Sequence, residues 1–171
     1  MGSNIDKNMK HVIEGWGIPS IEELKHKDIR FVFDSKLLKN PSEYYMNLKC
    51  EQNNVKFCLY NFDTKTIAFS MDFFESNNAI LRANGELAYL KLELLNVNDS
   101  ELRNKGIASF YLRKLQEYAI ENKFSYIKVN PCPNANIFKE QSKDNSLNIT
   151  DLKDFYRRKS LKEMPIKLFS E

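Results

Sequence analysis

The spacing of apolar side chains along the chain predicts helices first and then a run of strands. Apolar residues recur at helical intervals across residues 5–16, which predicts a first helix. A short second helix is expected over residues 20–27, because Ser20 and Glu23 have the spacing of a capping box. Residues 29–33 are rich in β-branched and aromatic side chains and predict a strand.

From residue 45 the apolar period changes to two, which predicts extended structure. Strands are expected over residues 45–50 and 55–59, joined by the polar turn 51–54, and then over residues 66–74. A polar loop containing Gly85 leads to a longer strand, residues 87–97. This order predicts an antiparallel meander.

In the longer strand the alternation is regular. Leu90, Leu92 and Leu94 should share one face, and Lys91 and Glu93 the other. One side of the strand is therefore expected to be buried, and the other to meet a polar environment.

Helical spacing returns over residues 106–122, the clearest helix of the chain, and a strand is expected at residues 125–129. Residues 130–148 form a polar loop of a length that is usually functional. The last helix is expected at residues 149–159 with Thr150 as its cap, followed by a strand at 166–169.

Length and composition exclude several classes of protein. A chain of 171 residues with 42% hydrophobic and 29% charged residues suits a single folded domain covering residues 1–171. The longest apolar runs have four residues, far short of the ~20 needed to cross a bilayer. No membrane span and no signal peptide are expected, so a cytoplasmic location is the default expectation.

The cysteines and the charge carry less information. Three cysteines, at positions 50, 58 and 132, suit neither a disulfide framework nor a metal site, so no metal is expected. A thiol nucleophile at Cys132 lacks a neighbouring histidine, since the two histidines are His11 and His26. Residues 1–100 carry 12 basic and 14 acidic side chains and residues 101–171 carry 14 and 9, so the later part is the better place for an anion.

A strand, a basic turn and the start of a helix follow one another around residue 103. A helix N-terminus offers unpaired backbone N–H groups to an anion, and Gly106 would allow close approach. The turn lacks the Lys-Ser or Lys-Thr ending of a nucleotide-triphosphate loop and the third glycine of a dinucleotide loop. A solvated turn, with Gly106 serving helix–sheet packing, is the structural alternative.

Arg103, Gly106 and Ala108 fill the pattern of the acyl-coenzyme A signature of the GNAT superfamily of N-acetyltransferases, which this turn resembles. The surrounding order also resembles that family: a long strand before the signature, the longest helix after it, then a strand and a helix bearing a tyrosine, here Tyr156. The resemblance implies an α/β fold with a mixed, mostly antiparallel twisted sheet of six to seven strands flanked by helices. It covers residues 87–169 well, and the earlier half only as a run of strands.

The resemblance also implies acetyl-coenzyme A as cosubstrate. Its acyl group and pantetheine arm would meet the backbone of Leu95 and Val97. Its pyrophosphate would meet the turn and the helix start, namely Arg103, Asn104, Lys105, Gly106, Ile107, Ala108 and Ser109.

Three departures from the family stand out. The helical region between the first two strands of the family is short here or replaced by a strand. An asparagine that the family places seven residues before the tyrosine is Ile149, with Asn148 as a neighbouring substitute. Ser160 and Leu161 replace the Gly-Phe pair that follows the tyrosine.

The implied reaction is direct attack of a primary amine on the thioester. An alkylamine with a pKa of about 10.4 is almost wholly protonated at neutral pH, so a base is needed. Glu93 is the candidate base, and a solvent-facing residue paired with Lys91 is the alternative. The resemblance implies that Tyr156 protonates the leaving thiolate, whereas a helical tyrosine can equally serve packing.

Other functions stay open. A non-catalytic module that binds coenzyme A or a protein on the same scaffold is the main alternative. Nucleic-acid binding through the basic last helix is weakened by the neighbouring Asp151 and Asp154. The acceptor, a small molecule or a peptide amine, cannot be chosen from the sequence, and an exposed sheet edge could pair two copies into a homodimer.

Overall fold

The computed structural model describes residues 5–131 and 147–169 of the chain. Helices and strands alternate through the described part, with the strands concentrated before the long helix α3. The elements are α1 Lys7–Gly15, β1 Ile29–Val32, β2 Lys49–Glu51, β3 Asn54–Asn61, β4 Thr66–Glu75, α2 Asn78–Ala83, β5 Tyr89–Val97, α3 Ile107–Glu121, β6 Tyr126–Val129, α4 Ile149–Lys159 and β7 Ile166–Leu168. Short 3₁₀ helices lie at Glu22–Leu24, Ser35–Leu37, Glu43–Asn47 and Ser100–Leu102.

The described strands form one seven-stranded sheet in the order β1-β3-β4-β5-β6-β7, with β2 also pairing with β3. The strands from β1 to β5 pair antiparallel, whereas β5, β6 and β7 pair parallel. The parallel connections pass through α3 and α4. The predicted class, a mixed, mostly antiparallel sheet of six to seven strands flanked by helices, is confirmed.

The sheet has two different faces. On the helix face, apolar strand residues pack with α1, α3 and α4 in one large core cluster that includes Leu90, Leu92, Ile127 and Ile166. On the second face, the segment after β1 covers the antiparallel strands and encloses a smaller cluster around Tyr45 and Cys58. Neighbouring strand residues point to opposite faces, so the sheet separates two distinct environments.

Helices α1, α3 and α4 are tied together on the helix face. Asp6 caps α1 by accepting a hydrogen bond of 2.8 Å from the Met9 amide. The buried Tyr111 hydroxyl group donates to the Gly17 carbonyl at 2.9 Å, just after α1. The buried Gln116 amide donates to the Lys159 carbonyl at 2.7 Å, at the end of α4. These bonds satisfy backbone carbonyl groups near the ends of α1 and α4.

Several local predictions are wrong. The segment after Pro19 forms only the short 3₁₀ helix Glu22–Leu24, with the extended residue Ile21 at its N-cap, so the Ser20 capping box does not form. Asn148, not Thr150, caps α4, accepting from the Asp151 amide at 2.9 Å. The cap lies two residues earlier than expected, because an asparagine caps as well as a threonine or better.

Two further differences concern residues read as strand or loop. Residues 45–47 lie in the 3₁₀ helix Glu43–Asn47 rather than in a strand, because Tyr45 is drawn into the second-face cluster. The polar loop before β5 contains the helix α2, which Asn77 caps by accepting from the Ile80 amide at 3.2 Å. Between β1 and β2 the structure has two short 3₁₀ helices, which fits the expected short helical region and not its replacement by a strand.

Candidate functional site

Strand β5 extends beyond the end of its parallel neighbour β6. It pairs with β4 as far as Val97, whereas its pairing with β6 ends at Leu92 opposite Val129. Residues 93–97 therefore have no β6 partner along one edge of the strand. We call this opening between β5 and β6 the fork.

A β-bulge lies where the fork opens. Asp72 of β4 pairs with Leu94, and the next residue, Phe73, pairs with Leu92, so Glu93 is the extra residue. Beyond the bulge the alternation is shifted: Leu95 and Val97 pack against the large core on the helix face, and Leu94 turns to the second face. The expected common face of Leu90, Leu92 and Leu94 is wrong for Leu94 because of this extra residue.

The turn after β5 is folded tightly around Arg103. The Asp99 side chain accepts from the Glu101 amide at 3.0 Å and starts the 3₁₀ helix Ser100–Leu102. Arg103 is buried, and its Nε donates to the Val97 carbonyl at 2.9 Å. The side chain of Arg103 thus links the turn to the end of the strand.

The tip of this turn is exposed and has unusual backbone angles. Asn104 has φ +63° and Gly106 has φ +90°, both in the left-handed region, which glycine adopts at no steric cost. A Cβ atom at Gly106 would meet nothing within 4 Å, so packing does not require the glycine. The left-handed backbone conformation is what favours a glycine here.

Gly106 also occupies the N-cap position of α3. It has no side chain with which to cap the helix, and the first turn carries no acidic residue. The backbone N–H groups at the start of a helix have no partner within the helix, and the helix dipole makes this end positive. Ile107 anchors the first turn in the core, while Ala108 and Ser109 are half-buried.

Lys105 adds a positive charge beside this helix start. Its Nζ lies 3.3 Å from Glu23 Oε1 of the first 3₁₀ helix, and both side chains are partly exposed. A hydrogen bond from its own backbone and one from Lys105 lower the pKa of Glu23. A surface pair of this kind holds a side chain weakly, so Lys105 can exchange partners at little cost.

On the second face, the half-buried carboxyl group of Asp72 lies beside the bulge. The Tyr44 hydroxyl group donates to Asp72 Oδ2 at 3.1 Å, and the Lys56 ammonium lies 3.4 Å from the centroid of the Tyr44 ring and donates to the Tyr44 carbonyl. Burial raises the pKa of Asp72, and Glu93 adds to this effect, while Tyr44 and Lys56 oppose it. Burial likewise lowers the pKa of Lys56.

Glu93 itself lies at the rim of this face. Its side chain is 44% exposed, and its Oε1 lies 3.8 Å from Lys91 Nζ. The charge of Glu93 influences both Asp72 and Tyr44, which places it with that group rather than with the helix face. A ligand at the bulge would therefore meet two carboxyl groups.

Tyr156 lies on the other side of the sheet. It is only 4% exposed and belongs to the large core, with its ring edge-on to Phe155 at 5.3 Å. Burial raises the pKa of its hydroxyl group, which stays protonated at neutral pH. That hydroxyl group makes no hydrogen bond to any described residue, which is uncommon for a buried polar group.

The predicted site residues are thus only partly brought together. The turn 103–109 and the backbone of Leu95 and Val97 adjoin the fork, with Glu93 on the second face and Tyr156 on the helix face. The side-chain oxygen of Asn148 accepts the hydrogen bond that caps α4. Sequence reasoning missed Tyr44, Lys56 and Asp72, although an aspartate and a lysine inside apolar strands were a signal.

The remaining candidates add little. Burial raises the pKa of the Cys50 and Cys58 thiols to about 11 and about 12, which makes neither reactive, and Cys132 lies outside the described residues.

Within residues 5–131 and 147–169, no three His, Cys, Asp or Glu side chains gather as metal ligands. In the same ranges, no helix is both long and apolar enough to span a membrane. Arg157 on α4 pairs with Asp154 at 3.1 Å.

Comparisons with known proteins give a distant likeness among solved structures. No protein family model and no curated protein sequence match the chain. Among solved structures, the chain resembles a ribosomal-protein-alanine N-acetyltransferase from Brucella melitensis biovar Abortus 2308, with 15% sequence identity and a TM-score of 0.47. The alignment covers 77% of this chain and 88% of that chain. A likeness this distant does not decide the activity of the present protein.

Proposed function

We propose that this protein is an N-acetyltransferase that transfers an acetyl group from acetyl-coenzyme A to a primary amine by direct attack. One observation carries the proposal: the fork in the sheet opens beside the uncapped N-terminus of α3. A long thioester with a pyrophosphate at a distance from its reactive end suits such a pair of features. An anion at a helix N-terminus needs no further explanation, and a strand that continues past its parallel neighbour offers its edge to an amide-rich arm.

The residues at the turn fit the anionic part of that ligand. The amides of Gly106, Ile107, Ala108 and Ser109 would point at the pyrophosphate, and Lys105 would give up Glu23 to reach it. Asn104 at the exposed tip completes the wall. Arg103 acts mainly by holding the turn against Val97, since its side chain is buried there.

The edge of β5 along the fork fits the arm and the acyl group. Leu95 and Val97 keep their side chains against the core, and a ligand lying in the fork would meet their backbone, apart from the Val97 carbonyl, which accepts from Arg103. A backbone N–H in this position would also stabilise the oxyanion of the tetrahedral intermediate. The bulge at Glu93 lies where the fork begins, next to the position where the acyl group would end.

Glu93 and Tyr156 would then act from opposite faces of the sheet. Acetyl-coenzyme A, when bound, supplies the thioester carbonyl and the thiolate leaving group. Glu93 would accept the proton of the attacking amine on the second face, directly or through water. The protonated, buried hydroxyl group of Tyr156 would donate its proton on the helix face, where no described residue forms a hydrogen bond with it.

The test separates charge from backbone strain at Gly106. Asparagine and aspartate both tolerate the left-handed conformation and have the same shape, so the pair Gly106→Asn and Gly106→Asp differs by one negative charge. Calorimetric titration with acetyl-coenzyme A should show near-micromolar binding by the wild type. Gly106→Asp should abolish it, and Gly106→Asn should retain part of it. Equal binding by both variants, or a folded wild type that binds nothing, would overturn the proposal.

A non-catalytic coenzyme A-binding module is the second candidate, and the burial of Tyr156 in the core favours it. The two candidates differ in turnover and not in cofactor binding. An assay for thiol release from acetyl-coenzyme A, run with polyamines, amino acids and peptides as acceptors, distinguishes them. Binding without release in the presence of every acceptor class would favour the module.

A further inference from the structure

Three lysines stand side by side across the parallel strands. The register places Lys91 of β5 opposite Lys128 of β6, and Lys128 opposite Lys167 of β7. We call these three residues the lysine row. Adjacent strands lie about 4.8 Å apart, so the row spans about 10 Å between its outer Cα atoms.

The lysine row belongs to the second face of the sheet. The strand neighbours of these lysines, Leu90, Leu92, Ile127, Val129 and Ile166, are buried in the core of the helix face. Alternate residues of a strand point to opposite faces, so the lysines point away from the helices. Lys167 is exposed, and Lys91 and Lys128 are half-buried.

Such a row works against the stability of the sheet. Like charges directly opposite each other on neighbouring strands are destabilising. Lys91 has a carboxylate at 3.8 Å, that of Glu93, whereas no carboxylate within residues 5–131 and 147–169 forms an ion pair with Lys128 or Lys167. A folding role does not explain the row, and a negatively charged ligand would.

Aromatic rings hold two of the three lysines in place. The Lys128 Nζ lies 4.4 Å from the centroid of the Phe169 ring, and the Lys167 Nζ lies 4.3 Å from that of Tyr126. Tyr89 and Tyr126 stack on each other at 5.3 Å. The ring contacts order the ammonium groups before any ligand arrives, which lowers the entropy cost of binding.

We infer that the lysine row binds an acidic segment of a polypeptide, whose amine is the acceptor of the proposed reaction. The choice of amine acceptor rests on the proposed function. Lys91 contacts Glu93, so a chain held along the row lies next to the candidate base. About three residues of extended chain span the row, at roughly 3.3 Å per residue.

A polynucleotide fits this surface less well. Single-stranded nucleic acids bind to basic surfaces through bases stacked on exposed aromatic faces. Here the faces of Tyr89 and Tyr126 cover each other, and the Phe169 and Tyr126 rings are engaged by lysines. A polynucleotide also carries no alkylamine for acetyl transfer.

The test uses two synthetic peptides with the same free N-terminus and a C-terminal fluorophore. One carries three consecutive glutamates near its N-terminus, and the other carries glutamines at those positions. Fluorescence anisotropy measures their binding to the wild type, to Lys128→Gln/Lys167→Gln, and to the control Lys7→Gln/Lys162→Gln. The control removes the same charge from exposed sites outside the row.

The glutamate peptide should bind the wild type more tightly than the glutamine peptide. Lys128→Gln/Lys167→Gln should weaken its binding by about tenfold or more, and the control by less than about twofold. The Tm of Lys128→Gln/Lys167→Gln should equal or exceed that of the wild type, because repulsion is relieved. That result separates lost binding from lost folding.

Three results would overturn the inference. The first is equal binding of the two peptides, and the second is an equal loss in the control variant. The third is a single-stranded oligonucleotide that binds more tightly than the glutamate peptide through the same lysines.

Titration of the same proteins with acetyl-coenzyme A keeps the two proposals apart. A wild type that binds the peptide and not acetyl-coenzyme A contradicts only the acetyltransferase. A wild type that binds acetyl-coenzyme A and not the peptide contradicts only the lysine row.

Discussion

At the scale of single residues, Tyr156 combines a buried hydroxyl group with the lack of a described hydrogen-bond partner. Tyr156→Phe keeps the ring and removes only that group. Because an unpartnered buried hydroxyl contributes little to folding, the Tm should stay the same or rise. If Tyr156 is the proton donor, kcat should fall by about a hundredfold or more with the KM for acetyl-coenzyme A unchanged. Thermal melting and steady-state thiol release measure the two effects.

A wild-type kcat in Tyr156→Phe would leave packing as the role of this residue. A fall in both kcat and Tm would instead show that the hydroxyl group forms a stabilising hydrogen bond in the folded protein. The two readouts therefore separate chemistry from stability, which kcat alone would not do.

Asp72 makes stability depend on pH in a definite direction. Burial raises the pKa of Asp72, so the folded protein binds this proton more tightly than the unfolded chain does. The contribution of Asp72 to stability therefore falls as pH rises from the unfolded pKa of about 3.9 through the higher folded pKa. Asp72→Asn cannot ionise, and its Tm should exceed that of the wild type at pH 7. The difference should shrink towards pH 3 in a series of thermal melts.

Tyr44→Phe should change the Tm at pH 7 in the opposite direction to Asp72→Asn. It removes the hydroxyl group that donates to the Asp72 carboxyl, a bond that counts most when the carboxyl is charged. Its Tm should therefore lie below that of the wild type at pH 7, and closer to it at low pH. A Tm for Asp72→Asn that is below the wild type at pH 7 would show that the charged form is stabilised after all.

At the scale of elements, a closed set of hydrogen bonds fastens the 3₁₀ helix Glu43–Asn47 to the sheet. The Tyr45 hydroxyl group lies 3.0 Å from Ser70 Oγ and accepts from the Asn98 side-chain amide at 2.7 Å. Ser70 in turn donates to Asn98 Oδ1 at 2.7 Å. The set joins the segment after β1 to β4 and to the end of β5.

Tyr45→Phe should destabilise the protein by about 1–3 kcal/mol, because it leaves polar groups of Ser70 and Asn98 without a partner. Urea denaturation measures the change. Tyr60→Phe serves as a control, since the Tyr60 hydroxyl group accepts a bond from the Lys39 amide near the surface and should cost less. An equally large loss of stability in Tyr60→Phe would show that the closed set of hydrogen bonds contributes no more than a single hydrogen bond near the surface.

Sequence periodicity predicts an element well when the apolar face that it defines is the face that packs against the neighbouring elements. The span of α3, from Ile107 to Glu121, follows the apolar stripe because that stripe meets the sheet. Glu93 is different: Leu94 and Leu95 are both apolar, so nothing in the sequence marks which of them faces the core. The bulge is decided by the pairing with β4, which is a property of two strands and not of one.

The candidate site divides in the same way. The turn at residues 103–106 could be predicted because its chemistry is local: a basic loop, a glycine and a helix start. The Tyr44–Asp72 contact and the lysine row could not, since each joins residues far apart in the chain. Their partners become known only when the sheet order is known.

At the scale of the whole molecule, the sheet separates the two proposed binding sites. One large core cluster runs from Met9 to Ile166 on the helix face, and the turn at residues 103–106 begins one of the helices that cover it. The Asp72 group and the lysine row lie on the second face. The fork is the place where both faces can reach one ligand, which suits a reaction between a cofactor and a separate acceptor.

Cofactor binding should therefore stabilise the whole molecule through the turn. A ligand at 100 times its Kd stabilises the folded state by about 2.7 kcal/mol. For a chain of this size, that corresponds to a rise in Tm of about 5–11 °C. Acetyl-coenzyme A and coenzyme A should both produce such a shift in a thermal melt, because both carry the pyrophosphate.

Pantetheine, which lacks the pyrophosphate, distinguishes the turn from the fork. If the helix start provides most of the affinity, pantetheine at the same concentration should shift the Tm by less than about 1 °C, since it stays far below its own Kd. Gly106→Asp should then reduce the shift by coenzyme A to that of pantetheine, while Gly106→Asn keeps part of it. A full shift by pantetheine would place the affinity in the fork, and the uncapped helix start would lose its role as the anion site.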